Sequence, residues 1–543
     1  MSSLRRAATS QEFQEDPPEF LPDSRPATAL PRLHDAGSRL LEAFLGDCVR
    51  ALPAVDRGTL AAYVSARSEA STIATACSGT DSPLLAVAGV QAALESAVHA
   101  SWNASHEFSC EADSRKRRFI TAFHEPKALF GDCTQLGNEA FCFQRKAVVP
   151  VRGAEWYIAG FPCKDVSAYC NQCRQHRESI GSGNMIASPQ TGKAFEEGVL
   201  GYIRKHGSAL QSVILENVMG LAAGKHPTPL SMCLARLEEA GIHATAFALS
   251  PTDFGFSVPR PRIWIHGVPT HRLKGMSPDV VDEILQSTVD LCSRVGCDQH
   301  HLSFEQTLLE DTHPRIRKLI AECQKLPMVE NCAPKRARLA SSSSGQKPWQ
   351  QRHLEHLRSN GIEDWYHNPI PSPELQTLLP CLRQLNAREF DILMYKHDCS
   401  YPEKKRRVLR LNTSIHFAGG TAGTLTPSSR HYVTDKCRLV TGTEMLCQQG
   451  IVFPRMERLS AFEENFLGDL AGNAFHVWVA SVMVLASIRV AALCERVAAI
   501  VPPGSDAILL AAPEEEAEDV DPLSLDFSID SRSTWTVMDA LWS

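Results

Sequence analysis

Short apolar runs of strand character alternate along the first half of the chain with longer segments of helical spacing. The runs are STIATAC (71–77), HEFSCEAD (106–113), EWYIAGF (155–161), SVILENV (212–218) and RIWIHGV (262–268). Between several of them lie helix-like stretches such as Leu84 to Ala100 and Lys193 to Lys205. Runs bounded by turn residues and separated by helices predict parallel strands with helical crossovers. The expected fold class is therefore α/β, with a doubly wound, mostly parallel sheet.

Outside this region the pattern changes. Residues 1–35 carry many Pro, Ser and charged residues without a period and read as a tail. Ser38 to Leu52 (SRLLEAFLGDCVRAL) has apolar positions at helical spacing and predicts an accessory helical segment within 36–70. Residues 71–270 hold the regular alternation. Beyond 270 the regularity weakens, and APKRARLASSSSGQK (333–347) reads as a linker or exposed loop within a separate lobe spanning 271–430. Helical patterning returns over 431–491, and 492–543 closes the chain as an acidic tail. The most apolar stretch, Phe475 to Ile488, is 14 residues long and includes His476 and Trp478. That is short of the roughly 20 residues a spanning helix needs, so a buried helix and no membrane partner are expected.

Composition refines this picture in two places. The chain has 543 residues, 43% hydrophobic and 22% charged, enough for a large core. Its net charge of -7 is unevenly spread: Lys335 to Arg338 and Lys404 to Arg407 are basic, whereas Glu514 to Asp521 is acidic. The overall sign therefore does not exclude a polyanionic partner. The 18 cysteines lack the dense spacing of a secreted disulfide scaffold, which predicts reduced thiols and an intracellular protein. The cluster at 335–338 beside a Ser linker matches a nuclear import signal. Cys170, Cys173 and His176 have metal-like spacing, but a structural zinc site needs four ligands and no second pair accompanies them. No metal is expected.

Candidate chemistry collects at the ends of the strand-like runs. ACSGTDSP (76–83) is a small-residue turn between a strand and a helix, where Gly79 lets the backbone approach a ligand. Glu111 in CEAD ends the next run, as an acid binding ribose hydroxyls would, and Asp132 in FGDC follows at a further strand end. Cys163, in GFPCKDVS (160–167), follows an apolar run and is a candidate nucleophile. In isolation such a cysteine reads as an ordinary buried thiol. Its company changes that reading: Glu216-Asn217-Val218 closes a later run, and Arg260-Pro261-Arg262 leads into another. Attack on carbon 6 of a cytosine drives electrons toward ring nitrogen 3, so an acid is needed there and a cation near the neighbouring carbonyl.

In this order the segments resemble the DNA cytosine-5 methyltransferase family. ACSGTDSP is similar to the cofactor-binding first motif, CEAD and GDC to the acidic second and third, and GFPCKDVS to the Pro-Cys motif. LENV matches the Glu-Asn-Val motif, and SPTDFGFSVPRPRIWIHG resembles the Gln-x-Arg-x-Arg segment, with Val258 in the place of the Gln. GTLTPSSRHY with RLVTGTEMLCQQGI resembles the ninth motif, and DLAGNAFHVWVASVMVLA the tenth. Lys164 stands where many members have Gln, Cys447-Gln448 replaces a common Arg-Leu, and the first motif lacks its Phe and second Gly.

The resemblance implies a catalytic domain of Rossmann-like type with a small target-recognition lobe, and S-adenosyl-L-methionine as cofactor. It implies catalytic roles for Cys163, Glu216, Arg260 and Arg262, and a cofactor site lined by Cys77, Gly79, Glu111, Asp132, Pro162 and Asn473. The expected partner is DNA, with transfer RNA as the alternative substrate and a catalytically silent binding paralogue as a second alternative. A small-molecule methyltransferase fits less well, because the Pro-Cys, Glu-Asn-Val and Arg-x-Arg set serves a pyrimidine ring.

Overall fold

The alternating runs assemble into one sheet of nine strands in the order β5-β4-β3-β2-β1-β6-β7-β9-β8. The structure, a computed structural model, describes residues 32–163, 165–166, 190–223, 228–325, scattered positions between 350 and 396, 408–411, 423–427, 429–436 and 438–500. The strands are β1 (Ser71–Ala76), β2 (Ala104–Cys110), β3 (Ala128–Phe130), β4 (Glu139–Cys142), β5 (Ala147–Pro150), β6 (Trp156–Ala159), β7 (Ser212–Val218), β8 (Ile242–Leu249) and β9 (Arg262–Pro269). β3, β2, β1, β6 and β7 run parallel. β9 inserts antiparallel between β7 and β8, and the β4–β5 hairpin adds an antiparallel edge beyond β3. The expected doubly wound, mostly parallel sheet is what the chain forms.

Both faces of the sheet are buried, which is why its central strands read as continuous apolar runs rather than alternating ones. Ile73, Trp156, Ile158, Ile214 and Trp264 belong to one core, and their neighbours Ala74, Tyr157, Ala159, Val213, Leu215, Ile263 and Ile265 to the other. The first core is covered by α1 (Leu33–Ala51), α2 (Ala54–Ser65), α3 (Ser82–Val98), α7 (Pro278–Gln299) and α11 (Val477–Ile500). The second is covered by a helix that starts at Thr191–Lys193, widens into a π-type stretch at Ala194–Val199 and continues as α5 (Leu200–His206), and by α6 (Pro229–Glu239). α4 (Ser114–Phe123) adds Phe119 to the first core, α8 (Pro314–Lys325) buries Ile316, and α9 (Gly442–Cys447) and α10 (Glu464–Asn473) precede α11. A second, antiparallel sheet joins β10 (Val408–Arg410), β11 (His431–Val433) and β12 (Arg438–Leu439).

Three elements depart from the pattern read along the chain. The N-terminal helix begins at Leu33 and is followed at once by a second one, α2. Helical order does not stop at 270, since Val281, Leu285, Val289, Cys292 and Val295 of α7 join the first core. The apolar run ending at Ile488 continues as one helix of 24 residues to Ile500. Together with α10 that segment is long and apolar enough by composition to cross a membrane, yet 94% of its most apolar window is buried inside the fold. Arg489 interrupts the apolar run, but its side chain stays inside because Asp56 of α2 accepts from its Nε at 2.9 Å and Thr288 accepts from its Nη1 at 2.8 Å.

Candidate active site

In a doubly wound sheet the ligand crevice opens where the strand order reverses, outside the carboxyl ends of the strands. Here the order reverses at the β1–β6 pair, with β2 to one side and β7 to the other. The loop after β1 carries Cys77, Gly79 and Asp81, and the loop after β6 carries Phe161, Pro162 and Cys163. The two loops touch at their roots, where Gly160 N–H donates to the Ala76 carbonyl.

The loop after β1 is tightly wound. Cys77, Gly79 and Asp81 all have positive φ, at 55°, 71° and 53°. Only the glycine adopts that conformation without steric cost, so the other two must be held. Asp81 is held by its buried carboxylate, which accepts hydrogen bonds from the hydroxyls of Thr75 (2.8 Å), Ser78 and Ser109. A hydrogen bond with the Cys133 thiol, reinforced by burial, raises the Cys77 pKa and keeps it protonated. Glu111, at the end of β2, accepts from Gly79 N–H at 3.2 Å and from Asp113 N–H at 3.0 Å. Burial pushes its carboxyl upward.

Asn473 lies over this turn from the other end of the chain: a Cβ built on Gly79 would stand 3.6 Å from the Asn473 carbonyl oxygen. Its side chain is exposed and donates to the Asp469 carbonyl at 2.8 Å. Asp132 is exposed and caps its own turn, accepting from the Thr134 N–H at 2.9 Å and hydroxyl at 2.7 Å. These residues fit a nucleoside-bearing cofactor. Gly79 gives close backbone approach, and each Glu111 oxygen, holding one donor from the chain, keeps a lone pair for a ribose hydroxyl.

On the other side of the crevice stand a thiol, a carboxylate and two guanidinium groups close enough to feel one another's charge. Register explains why Glu216 and Arg262 meet. In the antiparallel β7–β9 ladder Val218 lies opposite Arg262 and Glu216 opposite Trp264, so all four share one face. Arg262 Nε leans back to within 3.1 Å of Glu216 Oε1, and both side chains are largely enclosed. Burial raises the Glu216 carboxyl, while Arg262 and Arg260 oppose that rise. Cys163 packs half-buried at the same place, its thiol raised by burial and by the Glu216 charge and lowered by Arg262 and Arg260.

Asn217, noted in the sequence only as part of the Glu-Asn-Val run and given no role there, and Gly220, not noted there, shape the Cys163 loop. Asn217 is buried and its Nδ2 donates to the Phe161 carbonyl at 3.2 Å, tying that loop to β7. Gly220 lies under the turn closed by Val166 N–H on the Cys163 carbonyl: a Cβ there would come within 2.0 Å of the Val166 oxygen. The Asn following Glu216 and the Gly four residues beyond it were the available signals.

Arg260 stands apart from the other candidates. It is buried, and its guanidinium donates to the carbonyls of Leu425 (2.8 Å), Gly472 (3.1 Å) and Ala474 (2.7 Å). Burial, with Arg262 nearby, brings its pKa down to about 9, which leaves it charged at neutral pH. Pro162 is half-buried in the Cys163 loop. Lys164, Cys170, Cys173, His176, Lys335 to Arg338 and Lys404 to Arg407 lie outside the described residues. Among the described residues no cluster of His, Cys, Asp or Glu suits a metal.

A comparison with curated proteins bears on this arrangement. A DNA (cytosine-5-)-methyltransferase, DMT5 of Cryptococcus neoformans var. grubii, is 26% identical over 474 residues, covering 82% of this chain. Over most of its length the chain is thus similar to a DNA cytosine-5 methyltransferase. It spans only 18% of that relative's length. No family model matches the chain.

Among solved structures, a DNMT2 from Spodoptera frugiperda is similar at a TM-score of 0.37 and 11% identity, covering 77% of this chain and 99% of its own. The methyltransferase EhMeth of Entamoeba histolytica stands at 0.37 and 9%, covering 77% and 98%. A prophage-encoded DNA modification methyltransferase described from E. coli stands at 0.38 and 12%, covering 78% and 99%. The functional reading rests on this chain's own sheet order and site geometry.

Proposed function

We propose that this chain transfers a methyl group from S-adenosyl-L-methionine to carbon 5 of cytosine in DNA through a covalent adduct on Cys163. The observation that carries the reading is the Glu216–Arg262 pair, held at 3.1 Å beside the Cys163 thiol at the carboxyl end of the sheet. Cys163 supplies the nucleophile for carbon 6 of a cytosine turned out of its stack. Glu216, with its carboxyl raised by burial, holds a proton at ring nitrogen 3 as electrons move there. Arg262 exchanges part of its contact with Glu216 for the neighbouring ring carbonyl. S-adenosyl-L-methionine, when bound against Gly79, Glu111 and Asn473, supplies the methyl group as an electrophile. The thiol gives its proton to solvent on attack; once the methyl group is in place the carbon 5 proton also leaves to solvent, the Cys163 sulfur is expelled as thiolate, and a proton from solvent restores the thiol.

DNA is favoured over transfer RNA by the name of the curated relative and by the long segment from 270 to 430, whose β10 pairs with β11 in the second sheet. The basic cluster at 335–338 supports action in the nucleus. The deciding experiment offers labelled methyl donor with duplex DNA and with transfer RNA in parallel. Label in DNA alone is expected, and label in transfer RNA alone would replace the substrate. An oligonucleotide carrying 5-fluorocytosine should trap a covalent complex with the native chain and none with Cys163→Ala. A chain that binds S-adenosylhomocysteine yet traps no complex would be a silent paralogue.

A further inference from the structure

We propose that Arg260 is a positioning residue: it holds the turn between α10 and α11 as one wall of the cofactor site, and its guanidinium does not meet the substrate base. This rests on the methyltransferase reading above. The turn runs from Gly472 to Phe475, and its carbonyls are assigned one by one. Those of Gly472 and Ala474 accept from Arg260 Nη2 at 3.1 and 2.7 Å. That of Phe475 accepts from the Ser82 hydroxyl, at the start of α3, at 3.1 Å. The intervening carbonyl of Asn473 is thereby left facing the Gly79 turn. Arg260 Nη1 meanwhile takes the Leu425 carbonyl at 2.8 Å, which fastens the 423–427 segment to the same point. One side chain near the start of β9 thus joins three stretches that are remote in sequence.

The energetics argue that the arrangement serves more than packing. Arg260 is 4% exposed and hydrogen-bonds no carboxylate among the described residues; the described hydrogen bonds of its guanidinium go to carbonyls, and its Nε has none. A buried cation without an ion-pair partner is costly, and an apolar residue would fill the space at lower cost. What an apolar residue cannot do is fix three carbonyls at once with a planar fork. With three of its five N–H groups bonded to carbonyls, the Arg260 guanidinium is anchored in the wall, whereas Arg262, two residues on, has its Nε against Glu216 and is the arginine assigned to the base. The two arginines of the motif therefore divide the work, one toward the cofactor wall and one toward the carboxylate.

The test is calorimetric binding of S-adenosylhomocysteine to the full chain. Arg260→Lys keeps the charge and loses the fork, and should bind at least about tenfold more weakly. Ser82→Ala removes one pin and should weaken binding by a smaller factor. Arg262→Lys should bind as the native chain does while losing turnover. Arg260→Lys binding at native affinity would overturn the inference, as would an Arg262→Lys loss of the same size. Should Arg260→Lys fail to fold, hydrogen exchange on the native chain decides: amides of 472–480 should gain protection with S-adenosylhomocysteine, and an unchanged pattern would refute the wall. If the native chain binds no S-adenosylhomocysteine, the methyltransferase reading itself fails, a result distinct from the others.

Discussion

Cys163 sits between opposing fields. Burial and the Glu216 carboxylate raise its pKa, while Arg262 and Arg260 lower it. The balance is upward, so the resting group is a thiol at neutral pH, and its reactivity toward iodoacetamide should climb as pH rises through a midpoint above that of an ordinary cysteine. Glu216→Gln makes the two roles of that carboxylate separable. Removing the negative charge lowers the thiol pKa and should speed alkylation of Cys163 at pH 8, while methyl transfer falls by about 10²–10⁴-fold for want of the acid at nitrogen 3. Slower alkylation in the Gln variant would mean that the two groups do not share a field. Cys163→Ala should show no transfer at all while its thermal unfolding stays close to native.

At the scale of elements, the site depends on how close two backbones come. The loop after β6 and the 3₁₀ turn after β7 meet at Gly220, where a methyl group would lie 2.0 Å from the Val166 carbonyl oxygen. Gly220→Ala must therefore displace the Cys163 turn. It should reduce adduct formation with 5-fluorocytosine and cost about 1–3 kcal/mol in urea unfolding, the usual range for overpacking. Helix α11 poses a different problem, because it carries Arg489 into the core. The carboxylate of Asp56 on α2 answers it, with Arg489 Nε at 2.9 Å and Nη2 at 2.5 Å from Oδ2. Asp56→Ala would strand the guanidinium and should destabilise by about 3–5 kcal/mol, read as a lower urea midpoint. Methyl transfer at low temperature should be retained, since neither residue borders the crevice.

For the whole molecule, segments far apart in sequence are joined through buried charge. Glu444, fully buried at the start of α9, accepts from Arg438 at 2.8 and 2.9 Å, from Leu309 N–H at 2.8 Å and from Thr441 N–H at 2.8 Å. That one carboxylate links the segment after α7, the second sheet and the helices that lead to α11. Glu444→Ala should cost about 3–5 kcal/mol. If the small sheet depends on this link, limited proteolysis of the variant should cut near 310 and 436 before the nine-stranded sheet opens.

The part of the fold legible along the chain is set by the range over which each signal acts. β6, β7 and β9 could be read because strands buried on both faces are largely apolar, whereas β1 and β2 carry more polar residues and were read from the turns and helices that bound them. β3 has only three residues, too few for a period, and β8 mixes buried and half-buried positions at the edge of the sheet. The antiparallel sense of β9 carries no local signature, since direction is set by the path the chain takes between strands. Yet that sense is what brings Arg262 opposite Val218 and next to Glu216.

The sequence by itself determined the α/β class, the order of chemically suggestive segments and the identity of a cysteine, a carboxylate and two arginines worth attention. These depend on local composition and on motif order, both written linearly along the chain. Only the tertiary structure decided that the two arginines differ, one bound to three carbonyls and the other to Glu216. It also decided that Asn473 faces Gly79, that Asn217 ties the Cys163 loop and that Arg489 is tolerable inside a core helix. Each of these is a contact across many residues of sequence. Whether a charge is stranded or satisfied depends on partners that only folding brings near.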